Sequence, residues 1–139
     1  MKIYIAAPLY CDYERNYNLE IDTFLRRHGF DTYLPQRDGG VLSEMPEMID
    51  GISKEEYVFR KDLSAMDESD VFLFLMDGRV PDEGACVALG YFYRSGKCAI
   101  GLKTDSRTLS NNADNLMIQK SLKQILHSRE ELLTYLNNL

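Results

Sequence analysis

The sequence predicts an α/β fold, a parallel sheet with helices on both faces. Apolar runs of strand length alternate with helical patterns from one end of the chain to the other. The run Val71-Phe72-Leu73-Phe74-Leu75-Met76 is apolar throughout, as a strand covered on both faces must be. Ser53 with Glu56, and Ser128 with Glu131, repeat the Ser-x-x-Glu spacing that starts a helix.

The elements follow in order. Lys2 to Ala7 reads as a first strand, and Met1 to Pro8 is interrupted too soon for a signal peptide. Asp12 to His28 carries Tyr13, Tyr17, Ile21, Phe24 and Leu25 at helical spacing and stops at Gly29. Phe30 to Leu34 is a short strand, closed by Pro35, and a loop rich in glycine and charge runs from Gln36 to about Gly51. Ser53 to Met66 is the second long helix and Val71 to Met76 the third strand. A helix then runs from Asp82 to about Arg94, ended by Ser95-Gly96, with a strand from Cys98 to Leu102. Lys103 to Asp114 is a polar connection, the fifth strand is expected near Met117 to Ser121, and Ser128 opens a terminal helix.

Composition narrows the class. The 139 residues fit one domain, 1–139, and 45% hydrophobic with 27% charged residues is the balance of a globular protein. A net charge of -6 argues against a nucleic-acid backbone as partner, and no apolar run reaches the roughly 20 residues that span a bilayer. Cys11, Cys86 and Cys98 form no CxxC pair, which speaks against a disulfide framework or a zinc site and for a reducing cytoplasm. His28 and His127 sit at helix ends with no second ligand near in sequence, so no metal site is expected. No GxGxxG follows the first strand and no GxxxxGK[ST] occurs, so dinucleotide and nucleoside-triphosphate readings are weak.

Ligands in open α/β sheets bind outside the carboxyl ends of the strands. Three carboxylates lie there or close by: Asp62 late in the second helix, Asp77 after the third strand, and Asp82 opening the next helix. Each has an ordinary explanation: Asp82 as a helix N-cap, Asp62 as a solvated helix residue, and Asp77-Gly78 as a turn.

A wider pattern adds to these residues. Tyr4-Ile5-Ala6-Ala7-Pro8-Leu9-Tyr10, Glu14-Arg15, Asn18 and Leu34-Pro35-Gln36-Arg37-Asp38-Gly39 stand in one order. Asp62, Ser69-Asp70-Val71, Asp77-Gly78, Asp82-Glu83-Gly84 and Leu89-Gly90-Tyr91 continue it. Gly96-Lys97, Thr104-Asp105-Ser106-Arg107 and Asn115-Leu116-Met117 complete it. In order and spacing the chain resembles the nucleoside 2-deoxyribosyltransferase family over nearly its whole length.

The resemblance implies a flavodoxin-like, doubly wound, five-stranded parallel sheet. It implies transfer of a 2-deoxyribosyl group between nucleobases in nucleotide salvage, by double displacement at C1' with a glutamate nucleophile and an aspartate moving the base's proton. By position, Asp82 matches the aspartate at the base and Asp62 its supporting carboxylate, while Gln36 and Asp38 match the loop over the base. Asn115 and Met117 match residues that reach the site, often from a neighbouring subunit, and Tyr4, Ala6, Asp77 and Gly84 match further substrate-binding positions. The implied partners are deoxynucleosides and nucleobases, with no cofactor, in a cytoplasmic homo-oligomer. Tyr13, Tyr17, Tyr57, Phe59, Tyr91, Phe92 and Tyr93 exceed what one small core needs, and some are expected at subunit interfaces.

One position departs from the pattern. The nucleophilic glutamate belongs six residues after Asp82, where this chain has Ala88. Glu83 is no substitute, since five helical steps leave it about 140° round the axis and more than a turn away. Ala88 is either a replaced glutamate or the mark of a relative whose activity has changed, and the otherwise intact pattern favours replacement. Two further readings stay open: hydrolysis of a nucleoside or nucleoside monophosphate, with Arg15 or Arg79 on the phosphate, and nucleoside binding without catalysis.

Overall fold

A computed structural model describes residues 1–109 and 113–139. The first half runs β1 (Lys2–Ala6), α1 (Asp12–Arg27), β2 (Asp31–Tyr33), α2 (Pro35–Asp38), a 3-10 turn at Leu42–Glu44, β3 (Met48–Ile49), β4 (Ile52–Ser53) and α3 (Lys54–Glu68). The second half runs β5 (Val71–Leu75), α4 (Glu83–Arg94), β6 (Cys98–Leu102), α5 (Leu116–Ser121), β7 (Gln124–Leu126) and α6 (Arg129–Asn137). The main sheet is parallel and five-stranded, in the order β2-β1-β5-β6-β7. That is the 2-1-3-4-5 order of flavodoxin-like folds.

Strand alternation divides the core in two. Ile3 and Ile5 of β1, with Val71, Leu73 and Leu75 of β5, pack on Ile21 and Leu25 of α1 and Leu132 and Leu136 of α6. Tyr4 and Ala6 of β1, with Phe72 and Phe74 of β5, pack on Ala65 and Met66 of α3 and Ala85, Leu89 and Phe92 of α4. Gly101 of β6 serves the second cluster by having no side chain, because a Cβ there would lie 2.5 Å from the Met76 sulfur.

Two expectations need correction. The fifth strand is not at Met117 to Ser121, which forms α5, but at Gln124–Leu126, beside β6. Asn115 starts that helix by accepting the backbone N–H groups of Met117 and Ile118 at 3.0 and 3.4 Å. The stretch from Gln36 to Gly51 is no plain loop, since it holds most of α2, the 3-10 turn, β3 and the turn that leads into β4. Asp50 and Gly51 have φ of 52° and 82°, the positive values a tight Asp-Gly hairpin turn requires. The expected connection Lys103–Asp114 includes residues 110–112, which lie outside the described residues.

Candidate active site

β1 and β5 are neighbours, yet α1 and α4, which follow them, lie on opposite faces of the sheet. The chain therefore parts at their carboxyl ends and leaves a crevice there. Pro8 borders it after β1, and Leu75, Asp77 and Gly78 at the end of β5.

Asp82 N-caps α4, its Oδ1 accepting the Ala85 N–H at 2.6 Å. Gly84 leaves room for that contact, since a Cβ would stand 3.3 Å from the same oxygen. Tyr10, reaching across from the β1–α1 loop, donates its hydroxyl to Glu83. That hydrogen bond first, then burial and the charges of Glu83 and Asp82, push the phenol up to about 12. The same bond holds Glu83 below the usual carboxylate range. Glu14 accepts the N–H groups of Tyr10 and Cys11 at 2.8 and 3.1 Å and so shapes that loop.

Ala88 is half-buried and packs, with Ala85, Leu89 and Phe92, on the cluster that contains Tyr4, Ala6 and Tyr33. The rings of Tyr4 and Tyr33 stack at 5.4 Å, and Tyr33 donates its hydroxyl to Asp62 Oδ1 at 2.8 Å. Burial raises the Asp62 carboxyl, and the Tyr33 hydrogen bond and Lys61 only partly oppose it. Burial first, then Asp62, also raises the Tyr4 and Tyr33 phenols. The result is a small methyl at Ala88 on the same cluster as two neutral phenols, one of them bonded to a carboxylate that holds its proton more tightly than usual.

The other matched residues are placed as follows. Gln36, in α2, bonds to Asn18 and to the Arg15 carbonyl, both at 2.9 Å. Asp38 accepts from the Leu34 N–H at 2.8 Å and from Arg37. Burial, the strongest single influence on Asp38, pushes it up, but Arg37 and the Leu34 N–H outweigh burial and hold it low. Arg37 is in turn fixed at 2.5 Å by Asp22, a buried carboxylate that also accepts from Thr32. Asp77 accepts from Thr104 N, Thr104 Oγ1 and Asp105 N, all at 2.7 Å, and so ties the end of β5 to the end of β6. Asn115 caps α5 and lines a cleft of ≈ 470 Å³ with Arg79, Glu83 and Cys86, while Met117 is 76% exposed. A second cleft, of ≈ 420 Å³, lies between Pro8, Tyr17, Asn18, Leu75 and Asp77.

Tyr4, Ala6 and Ala88 thus share one cluster with Asp62 bonded at its edge, and Asp82 opens the helix that carries Ala88. Gln36 and Asp38 stand on α2, and Gly39, just after it, comes close to Asp62. Asp77, Asn115 and Met117 stand apart, toward β6 and α5. Sequence reasoning gave no role to Tyr33 or to the Tyr10–Glu83 pair. Tyr33 reads as any strand aromatic, and nothing local links Tyr10 to a partner 73 residues away.

A search of curated proteins finds no significant match. Among solved structures, the 2-deoxyribosyltransferase of Bacillus psychrosaccharolyticus superposes with a TM-score of 0.79 at 23% identity, covering 97% of this chain and 92% of that one. The 2-desoxiribosyltransferase of Leishmania mexicana gives 0.69 at 18% identity, covering 99% and 97%. A CMP N-glycosidase of Clostridium botulinum gives 0.59 at 17% identity, covering 99% of both chains. Identities this low speak for the fold alone. The family model described as nucleoside 2-deoxyribosyltransferase reaches further, matching residues 3–125 from β1 into β7 and so taking in Asp62, Asp82 and Ala88 together. With that match over most of its length, the chain belongs to the nucleoside 2-deoxyribosyltransferase family.

Proposed function

We propose that this chain binds deoxynucleosides and nucleobases at the β1/β5 crevice, in a site built for 2-deoxyribosyl transfer whose nucleophile is missing at Ala88. One observation carries the reading. The residue six positions after the Asp82 cap is a half-buried methyl on the cluster that holds Tyr4 and the Tyr33–Asp62 pair. A glutamate there would attack C1', forming a glycosyl ester as the C1'–N bond breaks, and Asp82 would give the departing base its proton. The second base reverses both steps. Tyr4, neutral at physiological pH, is the donor available to hold that carboxylate, while Tyr33 gives its one hydroxyl hydrogen to Asp62.

The test is base exchange between deoxyinosine and adenine, followed by chromatography. Ala88→Glu should form deoxyadenosine, and the unchanged chain should be slower by several orders of magnitude. Robust exchange by the unchanged chain would place the nucleophile elsewhere. Free deoxyribose without exchange marks the hydrolytic reading.

The family pattern further supports a homo-oligomer with sites near subunit boundaries. Leu116, Met117, Phe59, Tyr91 and Tyr93 are exposed apolar side chains of the kind interfaces use, whereas Phe92 belongs to the core. A monomeric mass by light scattering at micromolar concentration would overturn this. A cytoplasmic location agrees with the unpaired cysteines.

A further inference from the structure

Gln36, the amide matched to the base, is held in one orientation. Its Nε2 donates to the Arg15 carbonyl at 2.9 Å, and its Oε1 accepts from Asn18 Nδ2 at 2.9 Å. The same Asn18 nitrogen donates its other hydrogen to the Pro8 carbonyl at 2.9 Å. A backbone carbonyl only accepts, so Pro8 at one end and Arg15 at the other fix both nitrogens. Turning the Gln36 amide over would set two N–H groups against each other at Asn18 and two oxygens against each other at Arg15. Asn18 is 1% exposed and cannot swing out to water instead. With these bonds made, Gln36 keeps one N–H and one lone pair for a ligand.

We propose that Asn18 is a positioning residue for base specificity, locking the Gln36 amide so that its donor and acceptor meet a base in one order only. The proposal rests on the reading of the site given above. A 6-oxopurine offers an N1–H donor beside an O6 acceptor, while a 6-aminopurine offers an N1 acceptor beside an N6–H donor. Uracil and cytosine are inverted in the same way. An amide free to turn over would suit either edge, but a locked one pairs with one and leaves unmatched polar groups against the other.

The test titrates deoxyinosine and deoxyadenosine by calorimetry into this chain and into Asn18→Asp. A carboxylate at that position only accepts, so it opposes the Gln36 oxygen while the Arg15 carbonyl still calls for the nitrogen, and neither order of the amide satisfies both ends. The unchanged chain should prefer one nucleoside, and the ratio of the two dissociation constants should move at least threefold closer to one in the variant. A ratio near one in the unchanged chain, or equal weakening of both nucleosides in the variant, overturns the proposal. Should Asn18→Asp fail to melt cooperatively, Asn18→Ala replaces it. That variant should bring the ratio at least threefold closer to one, and an unchanged ratio counts against the proposal. Exchange by Ala88→Glu with an unmoved ratio sinks the Asn18 role alone. Loss of both exchange and nucleoside binding sinks the reading of the site, and this inference with it.

Discussion

The two faces of the central sheet are built from alternate residues of the same strands, yet they differ in kind. Toward α1 and α6 the packing is aliphatic: Ile3, Ile5, Leu73, Leu75, Ile100 and Leu102 meet Ile21, Leu25, Leu132 and Leu136. Toward α3 and α4 it is aromatic and ends in polar atoms. Tyr4 stacks on Tyr33 and Phe72, Phe72 meets Phe92, and Tyr33 carries its hydroxyl to Asp62. Both faces exclude water, and the first has Tyr17, Cys98 and Tyr135 at its margin, but the second joins a tyrosine hydroxyl to a carboxylate. The aliphatic face serves stability, and the aromatic face adds to it the paired Tyr33 and Asp62.

The comparison can be pressed at four points. Ala88→Glu, on the aromatic face, should raise base exchange by several orders of magnitude and change stability little, since the position is only half-buried. Adding Asp82→Asn to that variant should cut exchange by about 10² to 10⁴, the usual worth of a general acid–base group, and weaken binding much less. Asparagine also caps helices well, so its melting temperature should hold, and a large fall would mean that Asp82 acts mainly on α4.

Leu73→Ala strikes the aliphatic face on the strand next to Phe72. It should cost about 2–5 kcal/mol in urea unfolding, with nucleoside affinity of the folded protein unchanged. The smallest effect is a pH slope. Asp62 has its folded pKa raised, chiefly by burial, so the native state binds more protons than the unfolded chain. Its contribution is therefore greatest in acid and is lost as pH rises from the ordinary value of 3.8 through the raised one. Asp62→Asn should flatten that part of the stability–pH curve, and a slope identical to the parent's would show that the carboxyl is not shifted.

Much of this was legible in the sequence, for reasons that also explain the misses. The four strands Lys2–Ala6, Asp31–Tyr33, Val71–Leu75 and Cys98–Leu102 fell where apolar runs and turn residues placed them. The fifth went astray because Leu116-Met117-Ile118 is as apolar as a strand, while Gln124-Ile125-Leu126 is three residues long and lies among polar ones. The Asn115 cap was the signal that could have decided it. The β3–β4 hairpin had its signal too, Asp50-Gly51 between Ile49 and Ile52. In the candidate site, Asp82 was readable as a cap from its place before a helical pattern. No periodicity could show that Tyr33 meets Asp62, or that Asp77 binds the Thr104–Asp105 turn, because those pairs join elements 29 and 27 or more residues apart.

The pairing of β1 has a consequence for synthesis. β1 lies between β2 and β5, with Ile3 beside Thr32 on one edge and Val71 on the other. A ribosome adds about 5–20 residues each second, so the 68 residues from Ile3 to Val71 take roughly 3 to 14 seconds. For that interval Ile3-Tyr4-Ile5-Ala6 is an apolar strand with one edge unmatched by its own chain. An open edge of this sort pairs readily with another nascent copy. Slower elongation before Val71 should therefore lower soluble yield, and faster elongation there should raise it, with no change in the finished protein.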